Sequence, residues 1–307
     1  MLVAEWDHVS KRYQKDRPLA LDDVTFHVDA GEIVVVVGPN GSGKTSAMEM
    51  LSGLRVPTSG VVRLGGEDVR PGWRHHQALG VQLQEAGLPL RIRVREAIAA
   101  VACLYRDPGP VDKIVARLGL FDHLGSMVDT LSGGWQRRVD VALACIGRPE
   151  MIVLDEPTSG LDPVARADVW EFLRERRAEG IAILASTHDL GEAEAFADRL
   201  IVLHRGRIVL EGAVDEVLAR AGGEWRLRVI GAGEGVRELA QTGGLAFRES
   251  GDGISLLGPK PTIVALGNRI EDAREQGEVT YRDLLRGPVR LEDVFAFVTG
   301  AEDHVAA

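Results

Sequence analysis

Within eight residues, Gly38-Pro39-Asn40-Gly41-Ser42-Gly43-Lys44-Thr45 supplies three glycines, a lysine and two hydroxyls. Residues without a Cβ let successive backbone N–H groups converge on phosphate oxygens. Lys44 can then reach the β- and γ-phosphates, and the Thr45 hydroxyl is a hard oxygen ligand for Mg²⁺. Ser46 continues the hydroxyl-bearing start of the helix that should follow. The chemistry predicted is the gripping of a nucleoside triphosphate, ATP, by main-chain amides and one cation.

A nucleotide held with Mg²⁺ needs an acidic partner. Met151 to Glu156, MIVLDE, is an apolar run ending in two carboxylates. A buried strand of that kind sets Asp155 beside the loop, where it can hold the metal's ligand shell. Glu156 follows, placed to orient or deprotonate an attacking water. Leu131-Ser132-Gly133-Gly134-Trp135 is a third element of this type, a serine and two glycines opening a helix. One phosphate loop is already present, so Ser132, Gly133 and Gly134 make sense as a surface for a nucleotide held by another subunit.

With these three elements in this order, residues 5 to 220 resemble the ATP-binding cassette (ABC) ATPases, whose signature usually reads LSGGQ. The resemblance implies further roles. Tyr13 corresponds to the aromatic residue that stacks on adenine, and Gln84 to the glutamine that senses Mg²⁺ and the membrane partner. Ser159-Gly160-Leu161-Asp162 resembles the D-loop, and His188 the switch histidine that contacts the γ-phosphate. Trp135 departs from the family pattern at the fifth signature position, and Gln82 is a second candidate for the sensing glutamine. RRVDVA after the signature and LEDVFAFVTG near the end resemble the daunorubicin-resistance-like exporters more than sugar or metal importers. A soluble clamp in translation or DNA maintenance is the rival class. Such proteins usually carry two cassettes or a long coiled coil, and neither pattern occurs here.

These residues need elements to hold them. VTFHV (24–28) alternates as a strand, and IVVVV (33–37) is a β-branched run of the kind buried at a sheet centre. A helix is predicted from Thr45 to Gly53, and VVRL as a short strand. Between residues 91 and 148, REAIAAVACLY and VDKIVARLGLF have helical spacing. MIVLD, AILAS and RLIVLHRGRIVLEG return to strand, separated by helices at 163–179 and 189–197. Alternation of this sort predicts an α/β fold, a P-loop core with a mostly parallel sheet and a helical subdomain over about 85–150. After residue 220 the order becomes WRLRVI strand, GVRELAQT helix, a hairpin of LAFRES and ISLLG around 251–253, the helix TIVALGNRIEDAREQ, a strand near Val279 and the helix LEDVFAFVT. That order predicts a small α+β domain over 221–307, ferredoxin-like in succession.

Composition narrows the function classes. Of 307 residues, 46 are acidic and 36 are Lys or Arg, a net charge of −10. A free-standing nucleic-acid binder needs a basic face instead, so no nucleic-acid partner is expected. Cys103 and Cys145 sit apart in apolar stretches, as buried thiols in a reducing compartment do. The longest apolar run, Ala97 to Tyr105, is far below the roughly 20 residues of a spanning helix. The sequence therefore predicts an ATP- and Mg²⁺-dependent ATPase. By the resemblance, it pairs head to tail with a second ATPase subunit and docks on an integral-membrane permease at the cytoplasmic face of the membrane.

Overall fold

The computed structural model describes the chain except residues 71–75, 84–87, 90, 221, 242–244, 251–252 and 306–307, and except the side chains of residues 76, 250 and 299–305. Two compact units divide it, Met1–Glu211 and Gly212–Ala307. The division precedes residue 220 because the short helix at Val214–Ala219 packs against the last helix of the chain.

The first unit opens on β1 (Leu2–Lys11) and β2 (Leu21–Asp29), an antiparallel pair. Trp6 and Phe26 stack between them with centroids 4.1 Å apart. β3 (Ile33–Val37) is buried at all five positions and leads through the glycine-rich loop into α1 (Lys44–Leu51). The Trp6 indole N–H donates to Ala47 O across 3.2 Å, which ties α1 to β1. β4 (Ser59–Leu64) and β5 (Glu67–Asp68) complete an antiparallel sheet in the order β2-β1-β4-β5.

β6 (Leu79–Gln82) is followed by the helical stretch: α2 (Val94–Ala102), α3 (Val111–Arg117) and α4 (Gly133–Cys145). The helix predicted over VDKIVARLGLF stops early, because Gly119 turns left-handed at φ 69°. β7 (Met151–Asp155), α5 (Pro163–Ala178), β8 (Ala182–Thr187), α6 (Leu190–Phe196), β9 (Arg199–His204) and β10 (Arg207–Ala213) follow. The run RLIVLHRGRIVLEG is thus two strands. Arg205 and Gly206 both take positive φ, as a tight two-residue hairpin turn requires.

Among the described residues the central sheet runs β10-β9-β3-β8-β7-β6, with β9, β3, β8, β7 and β6 parallel. Asp155 pairs with Ser186 in register, and Val37 with Thr187. The ends of β3, β7 and β8 therefore lie side by side along one edge, and the chemistry collects there.

The second unit contains α7 (Val214–Ala219), β11 (Trp225–Ile230), α8 (Glu234–Gln241), β12 (Ala246–Ser250), β13 (Gly253–Gly258), α9 (Lys260–Glu275), β14 (Asp283–Pro288) and α10 (Leu291–Val305). Its strands form an antiparallel sheet in the order β12-β13-β11-β14. Leu227, Val229 and Ile254 build a separate core with Val236 and Ile263 of α8 and α9. The strand expected near Val279 begins at Asp283. Val279 and Tyr281 are instead drawn into that core as part of an extended connection.

Candidate nucleotide site

The loop leaving β3 admits no side chain at two of its glycines. A Cβ on Gly38 would lie 2.2 Å from Leu203 O, and one on Gly43 would lie 2.4 Å from Ala20 O. Gly43 is also the N-cap of α1, at φ 110°, so the first amides of that helix receive no side-chain cap. Ser42 Oγ is buried without a hydrogen-bond partner. Uncapped amides and an orphaned hydroxyl at one helix start are what a phosphate oxygen satisfies.

Lys44, 6% exposed, donates from Nζ to Gly38 O at 2.8 Å and Pro39 O at 3.2 Å. Burial pulls its pKa below the ordinary lysine value, while the Glu156 and Asp155 carboxylates act in the opposite sense. An anionic phosphate is a stronger acceptor than either carbonyl.

Thr45 Oγ1 donates to Asp155 Oδ2 at 2.8 Å, and Ser186 Oγ donates to Asp155 Oδ1. The adjoining hydroxyl and carboxylate oxygens are a donor set that fits Mg²⁺ beside phosphate oxygens. Glu156 follows at φ 52°, a left-handed conformation that few non-glycine residues adopt. Its amide donates to Ser186 Oγ at 3.0 Å, and its Oε1 lies 3.3 Å from His188 Nδ1. Ser186 was not singled out in the sequence. It holds both acids, and its pairing with Asp155 emerges only from the strand register.

A cavity of about 400 Å³ opens over these groups, lined by Asn40, Gly41, Lys44, Thr45, Ser46, Asp155 and Glu156, with Tyr13 at its side. That volume suits a nucleotide. The Tyr13 hydroxyl meets Ser46 Oγ at 2.9 Å, while its ring is half exposed. Gln82 ends β6, buried, and donates to Asp155 O at 3.2 Å; Gln84 lies outside the described residues.

The signature segment and Asp162 stand apart from this cavity. Ser132 is the N-cap of α4 and, like Gly133, is exposed; neither these two nor Gly134 lines the cavity of its own chain. Asp162 caps α5, accepting from Val164 N and Ala165 N at 3.0 Å each. These amides hold its carboxyl below the usual range. Trp135 packs inward, its ring 4.0 Å from that of His123 and 5.2 Å from the Arg138 guanidinium.

Sequence reasoning also passed over Glu192. This buried carboxylate accepts from Thr158 Oγ1 at 2.7 Å and Thr187 Oγ1 at 3.1 Å, tying the segment after Glu156 to the segment before His188. In the sequence it reads as one acid among several on a short helix.

Among the described residues no helix is long and apolar enough to cross a membrane. Comparison with known proteins places the chain in a family. Residues 21–159 match the ABC transporter domain. The chain is 33% identical to a daunorubicin resistance ATP-binding protein of Streptomyces coeruleorubidus, over 97% of this chain and 96% of that one. It is 36% identical to a Nod factor export ATP-binding protein I of Burkholderia pseudomallei, over 97% of each. Among solved structures, an ATP-binding subunit of an ABC transporter superposes with a TM-score of 0.64 at 27% identity, covering 71% of this chain and 92% of that one. The dimeric structure of a bacterial ABC transporter cassette, 24% identical, shares the fold with a TM-score of 0.62 over 69% of this chain and 98% of its own. The protein belongs to the ABC transporter ATP-binding family: it is an ATPase of the branch that contains the daunorubicin-resistance and Nod-factor-export ATP-binding proteins.

Proposed function

We propose that the chain powers export of a drug-, natural-product- or lipid-like small molecule through a separate integral-membrane permease, at the cytoplasmic face of the membrane. It does so as one member of a head-to-tail pair of identical chains. One observation carries the pairing: Ser132 and Gly133 are exposed at an uncapped helix start, yet line no part of their own chain's nucleotide cavity. In the pair, Lys44 and Thr45 of one chain and Ser132 to Gly134 of the other enclose each ATP. Tyr13 supports the adenine, and Asp162 and its loop face the opposing subunit.

Thr45 and Asp155 hold Mg²⁺, with Gln84 as the sensing residue; the metal, when bound, neutralises charge on the phosphates. Glu156 accepts the proton of the attacking water, and His188, 3.3 Å away, holds the carboxylate and reaches the γ-phosphate. The export direction rests on the names of the relatives, two of which read as resistance and export proteins along nearly their whole length.

Gel filtration with Mg·ATP tests the pairing. Glu156→Gln blocks proton acceptance and leaves binding intact, so this variant forms an ATP-dependent dimer and turns over at least about 100-fold more slowly. Adding Ser132→Arg to it removes the dimer while nucleotide affinity of the single chain stays within about twofold. A double variant that dimerises as well as Glu156→Gln alone rules the head-to-tail arrangement out.

A further inference from the structure

Glu192 stands in the first turn of α6, three residues after the N-cap Asp189. A glutamate at that place ordinarily turns back to the N–H of the cap residue and closes a capping box. Here it does not. The Asp189 N–H donates to Thr187 Oγ1 at 3.0 Å, and the Thr187 hydroxyl in turn donates to Glu192 Oε2 at 3.1 Å. The same oxygen accepts from Thr158 Oγ1 at 2.7 Å. Asp189 Oδ1 accepts from the Gly191 and Glu192 amides at 3.0 and 3.2 Å, so the helix start is capped without the glutamate. The Glu192 carboxylate is free to join two segments outside its own helix.

Burial makes this junction expensive. Glu192 is 8% exposed, Thr158 3% and Thr187 2%. A carboxylate in such a place needs donors and a countercharge. The two hydroxyls are the donors, and Arg166 Nη1, 3.7 Å from Oε1, is the countercharge. Arg166 also braces the flanking segments, donating from Nη1 to Asp189 Oδ2 and from Nε to Leu161 O, each at 2.9 Å. An apolar side chain of similar volume fills such a space without the cost of burying charge. What it lacks is an oxygen to hold Thr158 and Thr187 together.

Each of the two segments carries one member of the Glu156–His188 pair. Thr158 lies two residues after Glu156, and Thr187 immediately precedes His188. The His188 side chain is 62% exposed, so packing does not choose its place. Glu156 sits at φ 52°, a conformation that persists only where neighbouring contacts impose it. Ser186 Oγ holds the Glu156 amide on the strand side, and the Thr158 bond to Glu192 holds the chain beyond it. Anchoring Thr158 and Thr187 on one oxygen therefore fixes the two backbones that set Glu156 Oε1 3.3 Å from His188 Nδ1.

Resting on the roles proposed above for Glu156 and His188, we propose that Glu192 is a positioning residue for ATP hydrolysis, aligning the base with the histidine that holds it. Glu192 lines no part of the nucleotide cavity. Its loss accordingly slows the chemical step and leaves binding at the phosphate loop unchanged.

Steady-state kinetics on the full chain, with a mutant cycle through His188, tests this role. Thr158→Val keeps the shape and removes the shorter bond, and Glu192→Gln keeps the shape and removes the charge. Each is expected to lower kcat at least about fivefold, the equivalent of one hydrogen bond lost from the reacting arrangement. ADP affinity, read by calorimetry, stays within about twofold of wild type. In a His188→Ala background no histidine is left to align, so adding Thr158→Val lowers kcat by less than about twofold. A bond that serves stability alone shows no such dependence on His188. Glu192→Gln carries the same cycle if Thr158→Val does not fold. A kcat within about twofold of wild type in both variants, or equal proportional losses with and without His188, overturns the positioning role. Glu156→Gln and His188→Ala alone separate this inference from the reading beneath it. If either hydrolyses ATP at the wild-type rate, the roles proposed for the pair fall and the inference falls with them. Slow controls beside a fast Thr158→Val and a fast Glu192→Gln remove Glu192 only.

Discussion

Thr45 Oγ1 and Asp155 Oδ2 meet at 2.8 Å although 110 positions separate them in the chain. The hydroxyl stands on the first turn of α1 and the carboxylate at the end of β7, so their contact exists only when the loop after β3 and the strand two places away are both in position. The hydrogen bond thus holds two oxygens side by side before any nucleotide arrives.

Lys44→Ala removes the one side-chain cation that the loop directs at the phosphates. Loss of a charge-assisted contact of about 3 kcal/mol weakens Mg·ATP affinity on the order of 100-fold. Fluorescence titration measures it, and affinity retained within a factor of three removes the loop from the site. The depressed pKa of Lys44 adds a pH signature. Because burial disfavours the ammonium, wild-type affinity for ATP falls on the alkaline side at a lower pH than an exposed lysine would give. Lys44→Arg, always charged, keeps whatever affinity it has across that range.

Trp135→Gln restores the common signature residue but removes the stacking on His123. Ser132 and the two following amides remain, so the ATPase rate stays within about tenfold. The cost is structural, about 1 kcal/mol from the lost ring pair, and thermal melting reads it. A complete loss of activity in a variant that still melts cooperatively shows that the indole itself belongs to the nucleotide site.

Asp140 lies on α4 within RRVDVA, and burial pushes its carboxyl up to about 6, opposed by Arg137. The unfolded chain gives up this proton near pH 4 and the folded chain retains it to about pH 6. Stability therefore declines as pH rises between those values and is level above them. Asp140→Asn escapes the penalty, so it is more stable than wild type at pH 7.5 by about 2 kcal/mol, with little difference at pH 3.5. Denaturant titrations at the two pH values check the sign; a variant less stable at pH 7.5 refutes it.

How far the sequence leads depends on the kind of information each residue carries. The phosphate loop was legible because its glycines answer to local sterics: Gly38 and Gly43 have no room for a Cβ, and a strand and helix flank them in the chain. Asp155 and Glu156 were legible for the same reason, at the end of a wholly buried strand. Ser186 and Glu192 were not, because their work is done across strands and between loops. Ser186 binds Asp155 through strand register, and Glu192 gathers Thr158 and Thr187 from both sides of the site. Neither relation leaves a spacing in the sequence. The strand expected near Val279 misled for a related reason, since β-branched and aromatic residues serve a core contact as well as a strand.

The two units each enclose a hydrophobic core of their own, and every residue of the nucleotide cavity comes from the first. Ligand binding adds free energy to whichever structure it requires, about 2.7 kcal/mol at a hundredfold excess over Kd. In this chain that gain is delivered directly to Met1–Glu211. Amide hydrogen exchange read segment by segment then becomes a thermometer with two scales: Mg·ATP is expected to slow exchange throughout β3, β7 and β8, whereas β11 and β13 belong to the unit that supplies no residue to the cavity and report that unit's own opening.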